Sequence, residues 1–347
     1  MKIVLTGGGT AGHVLPNLAL VPYLQKHFDR ILYVGGDGME QKLVKNLPFL
    51  RIPTVKFERK RILPNLAIPF RLSAAVRESK KILKSERPDA VFSKGGYVGL
   101  PVVIAAHRLG IPVVVHESDM SLGLANRISK NDADYVCTAF SETARRLKNG
   151  IFTGTPIRRE LAYGTKSKML SECGFEGNRA VLLVTGGSLG ARFLNDLVRK
   201  HLDELLREYD VLHLCGKGNL APEIQKKGYF QAEFCDHMQD AYAAADFVLS
   251  RAGSNTINEI VFLQKPALLI PLPKGNSRGD QIENARYFEQ LGLSLVLEQQ
   301  DASHFVSAVS KLRREKPRLS ENMKKYEARN ACEKIVEILL DCTKKNQ

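Results

Sequence analysis

Two glycine-rich turns place backbone where an anion can sit. The first reads Thr6-Gly7-Gly8-Gly9-Thr10-Ala11-Gly12-His13 and the second Thr185-Gly186-Gly187-Ser188-Leu189-Gly190-Ala191. Glycine permits positive φ and close approach of a ligand to the main chain. The N–H groups at a following helix start, together with the helix dipole, then favour phosphate. One such turn is equally a tight strand-to-helix connection, but two in corresponding positions point to phosphate-bearing substrates. Neither is a P-loop, since GxxxxGK[ST] and its lysine are missing. Neither fits GxGxxG, and Asp37 lies too far along the chain for the ribose acid of a dinucleotide site, which disfavours a nicotinamide dehydrogenase.

Further polar groups cluster at the ends of apolar runs. His13 opens a helix directly after the first turn, where a neutral ring accepts a proton and a protonated one pairs with phosphate. Lys94-Gly95-Gly96-Tyr97 and His116-Glu117-Ser118-Asp119 each follow a short apolar run. Arg251-Ala252-Gly253-Ser254-Asn255-Thr256-Ile257-Asn258-Glu259 does the same and opens a helix. Glu259 either caps that helix or takes both hydroxyls of a ribose.

The elements that must hold these residues alternate as βαβ units, the mark of a doubly wound parallel sheet. In the first half, strands are expected at Lys2–Thr6, Arg30–Val34, Ala90–Ser93, Pro112–His116 and Tyr135–Thr138, with helices such as Leu15–Lys26 and Phe70–Ser85. The second half restarts with a strand at Val181–Thr185 and a helix at Ala191–Leu206. Strands follow at Val211–Cys215, Phe247–Ser250 and Ala267–Pro271. The join falls near Gly154-Thr155-Pro156, giving domains of 1–155 and 156–347, with Gly164 to Gly177 as an irregular lead-in. The Lys- and Glu-rich terminal helix either caps the second domain or returns to the first.

Two domains also suit 347 residues, of which 44% are hydrophobic and 25% charged. The net charge of +14 is uneven. Residues 1–155 hold 23 Lys and Arg against 12 Asp and Glu, while the remainder holds 28 against 25. The first half therefore meets something anionic: nucleic acid, lipid headgroups or a pyrophosphate. Trp is absent and aromatics are 7%, so base-stacking platforms are scarce. Segment 56–71 mixes Lys56, Arg59, Lys60, Arg61 and Arg71 with Ile62, Leu63, Leu66, Ile68 and Phe70. It reads as a solvated loop leading into an amphipathic helix, or as an apolar patch ringed with cations for an anionic membrane. The six cysteines form no CxxC pair and no export signal is recognised, so reduced thiols in the cytoplasm are expected. The apolar stretch from Val98 to Val115 is interrupted by Pro101, His107, Arg108 and Pro112, which argues against a spanning helix.

Taken jointly, the motifs resemble the MurG family of N-acetylglucosaminyltransferases. The likeness rests on Gly7–His13 with Pro16, Gly95-Gly96-Tyr97-Val98, His116-Glu117, Gly123-Leu124-Ala125-Asn126, Gly186–Gly190, Arg251-Ala252-Gly253 and Asp280-Gln281 with Asn284-Ala285. These occur in the family's order across nearly the whole chain. The resemblance implies the GT-B architecture, two Rossmann-like domains facing across a cleft, and no metal or other cofactor. It implies that Thr10, Ala11 and Gly12 lie near the reacting sugar and the acceptor's pyrophosphate, with His13 beside them, and that Asn126 and Asp119 bind substrate, Asp119 standing where the family's Asn contacts a sugar. Arg158 and Ser188 would contact the donor's diphosphate. Ser254, Asn255, Thr256, Ile257, Asn258 and Glu259 would hold the nucleoside, Cys235 would present backbone to uracil, and Gln281 would contact the donor sugar. Two departures stand out: Ala11 replaces a frequent Gly, and Ser118-Asp119 replaces a frequent Gln-Asn, which removes an amide donor. A Ser-Asp version also occurs in the family.

The expected reaction moves GlcNAc from UDP-GlcNAc to the 4-hydroxyl of MurNAc in undecaprenyl-pyrophosphoryl-MurNAc-pentapeptide, with inversion. His13 is the first candidate for general base and Glu117 the second. The expected location is peripheral, on the cytoplasmic face of the membrane, with no nucleic-acid partner. A diacylglycerol glycolipid synthase, a UDP-GlcNAc epimerase and a basic nucleic-acid-binding protein are the alternatives.

Overall fold

Val- and Ile-rich runs, too short and too apolar for surface helices, become the central strands of two parallel sheets. The computed structural model describes residues 1–54, 68–187, 190–275, 278–326 and 330–345. The chain divides into two units, one of Met1–Arg158 with the C-terminal helix and one that begins at Arg159.

The first unit runs β1 (Lys2–Thr6), α1 (Ala11–Leu24), β2 (Arg30–Gly35), α2 (Met39–Leu43), β3 (Phe49–Arg51), α3 (Ile68–Glu86), β4 (Ala90–Ser93), α4 (Gly96–His107), β5 (Val113–Glu117), α5 (Leu124–Ser129), β6 (Tyr135–Thr138), α6 (Ser141–Arg145) and β7 (Gly150–Phe152). Its strands lie in the order β3-β2-β1-β4-β5-β6-β7, with every pairing parallel. One layer packs Ile3, Leu5, Tyr33 and Phe92 against Leu20 and Leu24 of α1. The other packs Val4, Leu32 and Val91 against Val76 and Leu83 of α3 and Val102 and Val103 of α4.

The second unit runs α7 (Lys166–Cys173), β8 (Ala180–Thr185), α8 (Arg192–Lys200), α9 (Leu202–Leu205), β9 (Tyr209–Leu214), β10 (Tyr229–Ala232), α10 (Met238–Ala244), β11 (Phe247–Ser250), α11 (Ser254–Phe262), β12 (Ala267–Leu269), α12 (Asp280–Gln290), β13 (Leu295–Val296) and α13 (Phe305–Lys325). The sheet order is β10-β9-β8-β11-β12-β13, again parallel. The last helix, α14 (Cys332–Lys345), belongs to the first unit, where Ile335 and Leu339 join the α1 layer. Asn330 pins the returning chain: its Oδ1 accepts from Ile157 N–H at 3.2 Å and its Nδ2 donates to Ile157 O at 2.9 Å.

Two local expectations are corrected. Gly164 to Gly177 is not irregular but holds α7, ended by Gly174 in the left-handed conformation (φ +68°), a standard helix stop. Ala191–Leu206 is not one helix: His201 leaves helical geometry, packs against Phe305, and separates α8 from α9.

In both sheets the first strand is central and the chain winds outward from it in two directions. The switch points therefore fall between β1 and β4 and between β8 and β11. Ligands of open α/β sheets bind beyond the carboxyl ends of strands at such points.

Candidate active site

Each glycine turn follows the central strand at its unit's switch point. In the first unit Gly9 takes φ +88°, and a Cβ there would fall 2.6 Å from the Tyr97 ring, so only glycine fits. Beneath the turn, Asn17 Nδ2 donates to Thr6 O (2.9 Å) and Tyr33 Oη (3.0 Å), and Tyr33 Oη–H donates to Gly7 O (2.7 Å). Burial raises the Tyr33 phenol well above its ordinary range, which keeps it a donor. Glu40, fully buried at the start of α2, accepts from Gly9 N–H at 3.0 Å and Gly36 N–H at 3.1 Å. The glycine run is thus already closed on an internal carboxylate. The backbone left open beside it is the start of α1, where Thr10 is the exposed N-cap, Ala11 is buried, Gly12 is half-buried and no acidic residue lies in the first turn.

His13 is half-buried, with Nδ1 2.9 Å from Thr10 Oγ1. Close by, a Cβ on Gly96 would meet the His13 ring at 3.5 Å, so the start of α4 and the start of α1 adjoin. Glu117 ends β5 and is buried. Its carboxylate accepts from Asp119 N–H (3.1 Å), Gly123 N–H (2.8 Å) and Asn126 Nδ2 (3.0 Å). Both oxygens are occupied by donors of its own loop, the arrangement of an anchor for residues 117–123. Asn126 gives its other amide proton to His116 O at 3.1 Å, while its buried Oδ1 has no partner. What Asn126 can offer a ligand is therefore an acceptor. His116 is fully buried, its Nε2 2.8 Å from Gly154 O, and burial, with the nearby Lys94 charge, holds it well below the usual imidazole range. Arg158 is half-buried at the end of this unit's main segment.

The second turn is built on the same plan with different parts. Gly190 takes φ +71°, and a Cβ there would sit 2.1 Å from Cys215 O. That carbonyl accepts from Asn195 Nδ2 at 2.9 Å, and Asn195 Oδ1 lies 3.0 Å from His213 Nε2. Tyr229 Oη is 3.0 Å from His213 Nδ1. Burial, then Arg199, pushes His213 down to about 3, so the neutral ring donates from Nε2 to Asn195 and accepts from Tyr229. Ser188 lies outside the described residues.

Beside this turn is a pocket of about 360 Å³ walled by Gly186, Gly190, Ala191, Phe193, Arg251 and Gln281. Arg251, at the end of β11, is buried, donates from Nη1 to Ile270 O (3.0 Å) and Pro271 O (3.3 Å), and lies over the Phe193 ring. Burial lowers its guanidinium to about 10, still charged at neutral pH. Gln281 accepts from Leu272 N–H at 3.1 Å, which fixes its amide at the pocket wall. Ser254 and Ile257 of α11 are buried, Asn255, Thr256 and Asn258 are half-buried, and Asn258 Nδ2 donates back to Ser254 O (2.8 Å). Glu259 is the sixth residue of α11, beyond the third position from which a capping box closes, and its Oε2 accepts from Tyr242 Oη at 3.4 Å. Cys235 is half-buried just beyond β10. Among the described residues no group of three or more His, Cys, Asp or Glu is placed to hold a metal ion.

Sequence reasoning did not single out Glu40, Asn17, Tyr33, Asn195 or His213, and it noted Arg251 only within a motif. The available signal for Glu40 was the spacing Gly36, Gly38, Glu40 after the second strand, whose glycines clear room for its carboxylate. The others are ordinary residues in helix and strand patterns, and only long-range pairing shows their work.

Models of the glycosyltransferase family 28 N-terminal and C-terminal domains match residues 3–138 and 181–338. The UDP-N-acetylglucosamine--N-acetylmuramyl-(pentapeptide) pyrophosphoryl-undecaprenol N-acetylglucosamine transferase of Clostridium botulinum (strain Alaska E43 / Type E3) is 43% identical over 352 residues, covering 99% of this chain and 98% of its own. The protein of the same name from Clostridium tetani is 42% identical, with 97% of each covered. Among solved structures, MurG of Acinetobacter baumannii matches with a TM-score of 0.76 at 25% identity, over 98% of this chain and 99% of that one. The UDP-GlcNAc 2-epimerase of Methanocaldococcus jannaschii matches at 0.62 and 15% identity, over 98% and 99%, a likeness of fold alone. With both domain models matched and full-length relatives above 40% identity, the chain belongs to the MurG family of glycosyltransferases, within family 28 and with the GT-B class of paired parallel-sheet domains.

Proposed function

We propose that the chain transfers N-acetylglucosamine from UDP-GlcNAc to the 4-hydroxyl of MurNAc in undecaprenyl-pyrophosphoryl-MurNAc-pentapeptide, the step from lipid I to lipid II of peptidoglycan synthesis. The observation that carries this is 43% identity, along 99% of the chain, to a transferase whose name states both substrates. The acceptor oxygen bonds to the anomeric carbon from the face opposite UDP, and the bond from that carbon to the diphosphate oxygen breaks. UDP leaves with the electron pair, and the hydroxyl proton passes to a base.

The second unit suits the donor. Its pocket combines glycine-turn backbone with the Arg251 charge, and preorganised N–H donors and a guanidinium stabilise the charge that develops on departing UDP. Ser188 and Arg158 are assigned to the same diphosphate, Ser254 to Glu259 and Cys235 to the nucleoside, and Gln281 to the sugar. The first unit suits the acceptor, through Thr10, Ala11, Gly12, Asp119 and Asn126. His13 is the base. Its Nε2 takes the proton when Nδ1–H donates to Thr10 Oγ1, so Thr10 selects the tautomer. Glu117 acts as the loop anchor. No metal or cofactor takes part, and a chelator leaves the rate unchanged.

The chain works at the cytoplasmic face of the membrane, bound to anionic lipid, and nucleic acid is not a partner. Most of the basic patch, residues 55–67, lies outside the described residues. Within them, Phe70 of α3 is 80% exposed beside Arg71, and Leu124 and Ile128 share one exposed face of α5 with Arg127 close by. No helix among the described residues is long and apolar enough to cross a membrane.

Radiolabelled UDP-GlcNAc offered with the MurNAc lipid, with diacylglycerol, or alone tests the assignment. Label is expected in the MurNAc lipid only. Label in diacylglycerol, or UDP release with no acceptor, would point to a glycolipid synthase or an epimerase instead.

A further inference from the structure

Lys94 directly follows β4 at the first unit's switch point, and the residue is 2% exposed. Its Nζ donates to Ser118 Oγ, and its Cβ lies 3.2 Å from where a side chain on Gly7 would begin. The titratable groups that act on it are His116 and Glu117 at the end of β5 and Asp119 just beyond, while the backbone of His13 flanks the same glycine, Gly7, that its own Cβ adjoins. Two of these carry negative charge, and the carboxylates of Glu117 and Asp119 both act on the ammonium. Burial of an ammonium is costly unless it is hydrogen-bonded and offset by opposite charge. Its neighbours meet both conditions, and Ser118 and Asp119 belong to the loop that Glu117 anchors and that leads into α5.

We propose that Lys94 is a positioning residue for acceptor binding: its ammonium holds Ser118 and balances Glu117 and Asp119, fixing the 117–123 loop in the shape that receives the acceptor. The inference rests on the assignment of the acceptor to the first unit. Charge, and not bulk, is what the position needs, so the loop loosens when the charge goes. Burial lowers the ammonium to about 8, against the opposing pull of Glu117 and Asp119, so the charge is lost within an accessible pH range.

The test follows kcat/KM for the MurNAc lipid and UDP-GlcNAc affinity between pH 7 and about 9.5 for wild type, Lys94→Arg and Lys94→Met. In wild type, acceptor kcat/KM is expected to fall as pH rises through about 8 while donor affinity stays flat. Lys94→Arg moves that fall to higher pH, because guanidinium keeps its proton. Lys94→Met lowers acceptor kcat/KM roughly tenfold or more at pH 7, as expected for losing a charged hydrogen bond, whereas Lys94→Arg, which keeps the charge, retains most of it. Met at wild-type acceptor kcat/KM, or a wild-type profile flat from pH 7 to about 9.5, overturns the proposal. Hydrogen exchange at Asp119 and Gly123 gives an assay-independent readout, and these amides lose protection in Lys94→Met. Unchanged exchange there also overturns it. If wild type transfers no label to the MurNAc lipid at any pH, the functional reading fails, and the exchange result still decides what Lys94 does to the loop.

Discussion

His13 can take a proton at Nε2 only in the tautomer that carries hydrogen on Nδ1, and in that tautomer Thr10 Oγ1, 2.9 Å away, accepts the hydrogen. His13→Ala is therefore expected to lower kcat by roughly 10²–10⁴ while donor affinity holds. Thr10→Val should cost less, about tenfold, and Thr10→Ser should restore most of it because the hydroxyl returns. Steady-state kinetics checks both, and a Thr10→Val enzyme at full rate would show that the tautomer is set elsewhere. His213 is a histidine of the opposite kind, buried, neutral and bonded at both nitrogens. Its folded value of about 3 lies below the ordinary 6.5. Between those values the unfolded chain binds a proton that the folded chain refuses, so stability falls as pH falls through that window. His116, also held down by burial, adds in the same direction. Melting temperature against pH should be less steep for His213→Gln than for wild type over that range, the removed contribution amounting to at most several kcal/mol. Identical slopes would mean that His213 carries no proton linkage.

At the level of elements, the two glycine turns share a plan: a central strand, a turn and a helix, with an asparagine of that helix tying down a neighbouring backbone carbonyl. Asn17 does this in α1 and Asn195 in α8. The first turn adds the Glu40 carboxylate, and Glu40→Ala should lower unfolding stability by about 1–3 kcal/mol by orphaning two N–H groups, measurable by urea denaturation. An unchanged midpoint would mean water replaces the carboxylate. The strands β1, β2, β4, β5, β6, β8, β9, β11 and β12 were legible because they are almost wholly buried and each carries a short apolar run, interrupted in β9 by Asp210 and His213 and closed in β5 by His116 and Glu117. The sheet margins were not: β3, β7, β10 and β13 span two to four residues, partly exposed and without alternation. The motifs at the switch points were legible because glycine and polar residues interrupt apolar strands there. What closes them was not. Glu40 reaches Gly9 across 31 positions, and Lys94 reaches Ser118 across 24. Local pattern carries no trace of such distances.

For the whole molecule, charge and connectivity matter most. The excess of Lys and Arg in residues 1–155, with Phe70, Leu124 and Ile128 exposed, predicts binding to vesicles rich in anionic lipid and release by salt. Vesicle sedimentation checks this, and binding indifferent to both lipid charge and salt would contradict it. The chain ends in the unit where it began, and α14 covers Leu20 and Leu24 of α1. Deleting α14 should therefore unfold the first unit and leave the second protected in hydrogen exchange, whereas loss of protection in the second alone would reverse that assignment. In the proposed function the glycine turns differ in what they hold, the second the donor and the first the acceptor side. Equilibrium binding of UDP-GlcNAc to Gly190→Ala and to His13→Ala tests it most directly. A methyl group at Gly190 would meet Cys215 O at 2.1 Å and strain a φ of +71°, so donor affinity should fall at least about tenfold there and stay near wild type in His13→Ala. Donor binding kept by Gly190→Ala and lost by His13→Ala would contradict the account.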